Sequence, residues 1–154
     1  MRIRLHDDLR LEEVLYTGKD FVFVGFGGKP DRPLGERRIK RSPLRDVASM
    51  LLSFDYAGHA ALFDQVPGIT RKPEAVPALE WWSGYWSDWV SAQFLNGYFA
   101  TMGESKLLPQ NDTDVRMLLE AFLLEKALEE MGRDLTDRPD WARIPIRMML
   151  RILS

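Results

Sequence analysis

Val14-Leu15-Tyr16, then Thr17-Gly18-Lys19-Asp20, then Phe21-Val22-Phe23-Val24: two short runs rich in β-branched and aromatic residues flank a polar tetrapeptide with one glycine. That pattern predicts a β-hairpin. Directly after it, Gly25-Phe26-Gly27-Gly28-Lys29-Pro30-Asp31-Arg32-Pro33 carries three Gly and two Pro, so neither strand nor helix persists and a loop is expected. Beyond the loop, apolar residues recur at three-to-four spacing, which is the spacing of helices. The expected fold class is mainly α with a small β-hairpin, an α+β arrangement.

Ser42-Pro43 reads as an N-cap followed by proline in the first helical position. Leu44, Val47, Ala48, Leu51, Leu52 and Phe54 then fall on one helix face, which places a core helix there. Three prolines between Val66 and Pro77 mark a connection. A long helical pattern runs from about Ala78 to Thr101, with Leu79, Trp82, Trp86, Trp89, Val90 and Phe94 on one side. At this spacing the indoles are expected in the core, although such a stripe also suits stacking on a sugar ring.

Asn111-Asp112-Thr113-Asp114 offers a cap and first-turn acids for the next helix. Its buried stripe is expected to be Val115, Leu118, Leu119, Phe122, Leu123, Leu128 and Met131, with Gly132 near its end. A last short helix would bury Ile146, Met149, Leu150 and Leu153. The expected division is one domain over residues 1–154. Residues 1–42 hold a loop segment, the hairpin and the Gly/Pro loop, and residues 43–154 form the helical body.

The 154 residues carry 21 Lys and Arg against 23 Asp and Glu, a net charge of −2, which gives no general affinity for nucleic acid. Five Trp, eight Phe and four Tyr supply too much apolar area for a disordered chain. With no cysteine there is neither a disulfide framework nor a thiolate zinc site, and His6 and His59 are too few for a histidine metal centre. Any metal would be held by carboxylates. No apolar run reaches the ~20 residues of a membrane span and no signal peptide is seen, so a cytoplasmic location without membrane contact is expected. Arg37, Arg38, Lys40, Arg41 and Arg45 form a dense basic cluster, read either as a solvated face or as an anion contact.

Three blocks carry a family resemblance: His6-Asp7-Asp8-Leu9-Arg10-Leu11-Glu12-Glu13, Phe21-Val22-Phe23-Val24-Gly25-Phe26-Gly27-Gly28-Lys29-Pro30, and Glu36-Arg37-Arg38-Ile39-Lys40-Arg41-Ser42-Pro43-Leu44-Arg45-Asp46. Phe122 to Leu128 and Arg138 to Ile146 add two more. Together they resemble maltokinases, aminoglycoside-phosphotransferase-like sugar kinases often fused to trehalose synthase. The resemblance implies the helical C-lobe of a protein-kinase-like fold, with a nucleotide-binding lobe expected before Met1.

In that family the catalytic loop reads His-Gly-Asp-Leu-His-Leu-Gly-Gln and the metal loop reads Asp-Phe-Glu-Gly-Glu-Pro. By this likeness Asp8 stands at the catalytic base and His6 at the loop histidine. Asp7 stands where the family has Gly, Arg10 where it has His, and Glu13 where it has the metal-binding Gln. Gly25 replaces the magnesium-holding Asp, and Lys29 replaces another acid. Losing the Asp at Gly25 removes a hard oxygen donor that magnesium requires, leaving Glu13 as the remaining candidate metal ligand. On the sugar side Lys126 matches the family and Trp141 is expected to share its pocket, while Glu129 and Arg133 take the place of tyrosines and are expected to form a solvent-facing pair.

The resemblance thus implies a degenerate lobe, a pseudokinase-like binding or interaction module related to maltose and trehalose metabolism, with no cofactor expected for the isolated chain. The alternative is an active maltose 1-phosphotransferase using Mg and ATP once a nucleotide-binding lobe is supplied. The implied partners are a maltose-like glycan, trehalose synthase, a chain supplying the N-lobe, or a second copy in a homodimer.

Overall fold

A computed structural model describes residues 2–27, 33–60, 62 and 76–154, without the side chains of residues 34, 76 and 77. The expected connection between Val66 and Pro77 lies outside the described residues apart from the first turn of the helix that follows, and so do residues 28–32 of the expected Gly/Pro loop, Lys29 among them. Strands β1 (Val14–Tyr16) and β2 (Phe21–Phe23) pair antiparallel, with Val14 opposite Phe23 and Tyr16 opposite Phe21. Gly18 takes φ +87° in the connecting turn, and Thr17 and Asp20 close it with a backbone hydrogen bond of 2.9 Å. The hairpin is as expected, but Leu15, Tyr16, Phe21, Val22 and Phe23 are all exposed, so both of its faces present apolar side chains.

A short helix α1 (Leu34–Arg37) precedes the core helix α2 (Leu44–Ala60). Ser42 and Pro43 start α2 through their carbonyls, and Leu44, Val47, Ala48, Leu51, Leu52 and Phe54 are buried as the spacing predicts. Helices α3 (Val76–Met102), α4 (Asp112–Asp137) and α5 (Arg143–Leu153) surround it, so α2 is the central element of the body. The Asn111 carboxamide accepts from the Thr113 N–H at 2.9 Å and caps α4.

Three buried faces differ from the sequence reading. On α3, Trp82 and Trp89 are 59% and 58% exposed and Trp86 42%, while Ser83 and Ser87 turn inward. The reason lies in the crossing with α2. A Cβ on Gly58 would come 2.6 Å from Ser83 Oγ and 3.3 Å from the Ser83 carbonyl. No large side chain fits between Gly58 and Ser83, so serine takes that contact, with the edge of the Trp86 ring beside it at 3.5 Å and Trp82 and Trp89 turned to the outside. Only farther along, at Val90 and Phe94, does α3 pack its expected apolar residues on the core.

Helix α4 runs five residues beyond Gly132. It buries Leu123 and Ala127, and along the same side Lys126, Glu130 and Asp134, while Leu118 and Leu128 are exposed. On α5 the inward residues are Ile144, Pro145 and Met148, with Met149 packed beside them. Ile146, Leu150 and Leu153 face outward. Arginines decide this rotation: Arg147 reaches Glu80 at 3.4 Å, and Arg151 reaches Asp55 at 2.9 Å and Asp88 at 2.8 Å. These pairs turn one side of α5 toward α2 and α3. Among the described residues no helix is long and apolar enough to cross a membrane.

Candidate functional site

The segment after the first extended residues is pinned onto the first turn of α2 by Asp46. Its two carboxylate oxygens accept the N–H groups of His6 and Asp7, each at 2.9 Å. Burial holds the Asp46 carboxyl above its usual range, and those two N–H donors work against the shift. Asp7 adopts φ +68°, a left-handed conformation that a short polar side chain tolerates and glycine prefers. A carboxylate thus stands at a backbone position that favours glycine. The His6 ring donates from Nε2 to the Val24 carbonyl at 2.5 Å, tying the loop to the hairpin. His6 is thus a buried structural link.

Arg45, part of the cluster read either as a solvated face or as an anion contact, is 1% exposed. Its guanidinium meets Glu125 at 2.9 Å, Glu129 at 3.2 Å and Asp7 at 3.9 Å. Glu129 also pairs with Lys126 at 3.6 Å, and Arg133 pairs with Glu130 at 3.0 Å. The expected solvent-facing surface at Glu129 and Arg133 is therefore partly directed into the site. Lys126 is 2% exposed and donates to the Asp7 carbonyl at 3.5 Å.

Asp8, Lys126 and Trp141 line one cavity of about 420 Å³, which also admits Arg10, Glu130 and Tyr56. Arg10 spans it, donating to Asp8 at 3.2 Å and to Glu130 at 2.6 Å. Burial disfavours its charge, but the carboxylates of Glu130, Asp8 and Glu12 outweigh this and hold its pKa above the ordinary value. At the other wall the Tyr56 hydroxyl donates to the fully buried Asp134, and Arg138 donates to the same carboxylate at 2.7 Å. Arg138 also lies over the Trp141 ring, 4.3 Å from its centre. Burial, followed by the bond to Asp134, pushes the Tyr56 hydroxyl well above its usual pKa. An indole beside fixed hydrogen-bonding charges is a lining suited to a polyhydroxylated ligand.

Glu13 and Gly25 meet across the hairpin base. Gly25 sits at φ +78°, and a Cβ there would overlap the Glu13 carboxylate. The place of the expected metal-holding side chain is thus filled by Glu13, while Asp8 is engaged by Arg10. Among the described residues no three His, Asp or Glu side chains converge as metal ligands. This donor set does not fit a magnesium ion, which prefers octahedral oxygen coordination.

Asp8, Lys126 and Trp141 were reachable from sequence. Arg45, Asp46, Glu130, Asp134, Tyr56 and Arg138 were not. A signal existed in α4, where Lys126, Glu130 and Asp134 recur every fourth residue and so share one face.

No protein-family model matches the chain. Among solved structures, a glucosamine kinase in complex with glucosamine, ADP and inorganic phosphate matches 99% of the chain and 35% of its own length, with a TM-score of 0.73 and 22% identity. A glucosamine kinase in crystal form B gives 99%, 34%, 0.72 and 23%. The fold is kinase-like. This chain spans about a third of the length of those structures, and at such identity the likeness carries the kinase-like architecture without the sugar. The maltokinase resemblance is accordingly narrowed to a kinase-like fold with sugar-kinase neighbours.

Proposed function

We propose that this chain is the sugar-binding lobe of a maltokinase-like protein, noncatalytic on its own, with a neutral maltose-like glycan as its ligand. The observation that carries this reading is the convergence of Asp8, Lys126 and Trp141 on one cavity, although they are far apart in sequence. Phosphoryl transfer depends on placement and on neutralising phosphate charge. The arrangement at Glu13 and Gly25 supports binding without transfer, because Glu13 occupies the space a second acid at 25 would need and, among the described residues, no third acid or histidine joins it as a metal ligand. Arg10 and Arg133 neutralise Glu130, which favours an uncharged sugar over a cationic one.

Calorimetric titration tests this reading. Maltose is expected to bind more tightly than glucosamine, and Lys126→Met and Trp141→Ala are each expected to weaken maltose binding about tenfold. Equal affinity in the parent and both folded variants would refute it.

A second reading is favoured by the hairpin. An isolated two-stranded sheet is marginal in water, and this one exposes Leu15, Tyr16, Phe21 and Val22 on both faces. A nucleotide-binding lobe packed on it would cover them, and with Mg and ATP that lobe would supply the rest of a kinase. An exposed face of this kind also suits a second copy of the chain or a trehalose synthase partner.

A further inference from the structure

Away from Asp8, a second cavity of about 490 Å³ opens between the Ile3 and Arg41 segments, the turn at Leu107 to Pro109, and the α4 face carrying Leu118 and Phe122. Its walls divide by chemistry. Leu107, Leu108, Leu118 and Phe122 give an apolar side, while Arg2, Lys40 and Arg41 give a cationic one. Among the described residues, no carboxylate lines it. Among the described residues, none of these three cations has an ion pair or a side-chain hydrogen bond. The backbone that presents them is held in place: Ile3 and Arg41 exchange hydrogen bonds of 3.0 and 2.9 Å, which tie the segment of Arg2 to the segment of Lys40 and Arg41 at the cavity's edge.

The basic cluster noted in the sequence is therefore divided by the fold. Arg45 is buried against Glu125, Glu129 and Asp7, Arg37 donates to the Gly27 carbonyl at 2.9 Å, and Lys40 and Arg41 line this second cavity. Three like charges left together repel one another, and a dianion placed among them relieves that repulsion. Guanidinium forks match phosphate oxygens in paired hydrogen bonds, so phosphate fits better than a single carboxylate. The apolar wall requires the rest of the ligand to be hydrocarbon, and the volume lies within the range of small-molecule sites. Nucleic acid is disfavoured, since it needs a track of phosphate contacts rather than one cluster on a chain of net charge −2.

We propose that this cavity binds a small phosphomonoester with an apolar organic group, its phosphate held by Arg2, Lys40 and Arg41 and its body resting on Leu108, Leu118 and Phe122. The test is calorimetric titration of the full chain with 1-naphthyl phosphate, inorganic phosphate and 1-naphthol. The ester is expected to bind at one site, at least about tenfold more tightly than either component, with affinity falling as salt is added. Arg41→Ala should weaken it about tenfold, Leu118→Trp should block the cavity, and Trp141→Ala in the other cavity should leave it unchanged. Absence of saturable binding, equal binding of inorganic phosphate alone, or unchanged affinity in folded Arg41→Ala protein would overturn the proposal. Loss of binding in Trp141→Ala would do so as well, because the ester would then occupy the Asp8 cavity.

Discussion

Gly25 and Glu13 act as a pair, because the carboxylate of one fills the space that a side chain on the other would take. An Asp placed at 25 must adopt a left-handed backbone and displace Glu13. Gly25→Asp alone is therefore expected to lower stability by about 1–2 kcal/mol, and adding Glu13→Ala is expected to return part of that loss. Thermal denaturation of both singles and the double checks this, and strictly additive effects would contradict the coupling. The same scale shows what the sequence left hidden. The family pattern points to Asp8, Lys126 and Trp141, and the fold brings these three to one cavity. Arg45 and Glu130 were not legible, because their partners are distant: Arg45 finds Glu129, and Glu130 finds Arg10, only after α2 and α4 have packed. Charges at helical spacing read locally as solvent pairs, and nothing local says that these are covered.

The joints between helices explain which stripes were legible. On α2 the apolar spacing and the buried face coincide, since that helix is covered by α3, α4 and α5. On α3 the close approach at Gly58 overrides size, and the indoles that dominate the pattern go outward. Gly58→Val is expected to destabilise the protein by ~1–3 kcal/mol through overpacking against Ser83, read as a lower urea midpoint. An unchanged or raised midpoint would show that the crossing is looser than described. The joint of α2 and α4 has its own signature in alkaline solution. Because burial and the bond to Asp134 raise the folded-state pKa of Tyr56, the folded protein keeps a proton that the unfolded tyrosine loses near pH ~10. The stabilising contribution is whole below that pH and declines as pH rises above it. The stability advantage of the parent over Tyr56→Phe should therefore narrow from pH ~9 to ~11. Parallel curves from urea unfolding would contradict the assignment.

For the molecule as a whole, the hairpin and the capped helices were readable because each rests on local chemistry: β-branched runs, a glycine turn, Asn111 and Ser42. The rotation of α5 was not, because it depends on arginines meeting acids of α2 and α3. What results is a kinase-like body with a cavity that joins an acid, a buried lysine and an indole, and a hairpin base at which Gly25 faces the Glu13 carboxylate. The most direct measurement of this account is phosphate transfer followed by phosphorus NMR, with the pure chain, magnesium-ATP and maltose, alongside maltose titration of the same sample. Saturable maltose binding with no sugar phosphate formed is the expected result. Accumulation of maltose phosphate at a rate that is lost in Asp8→Asn would contradict it.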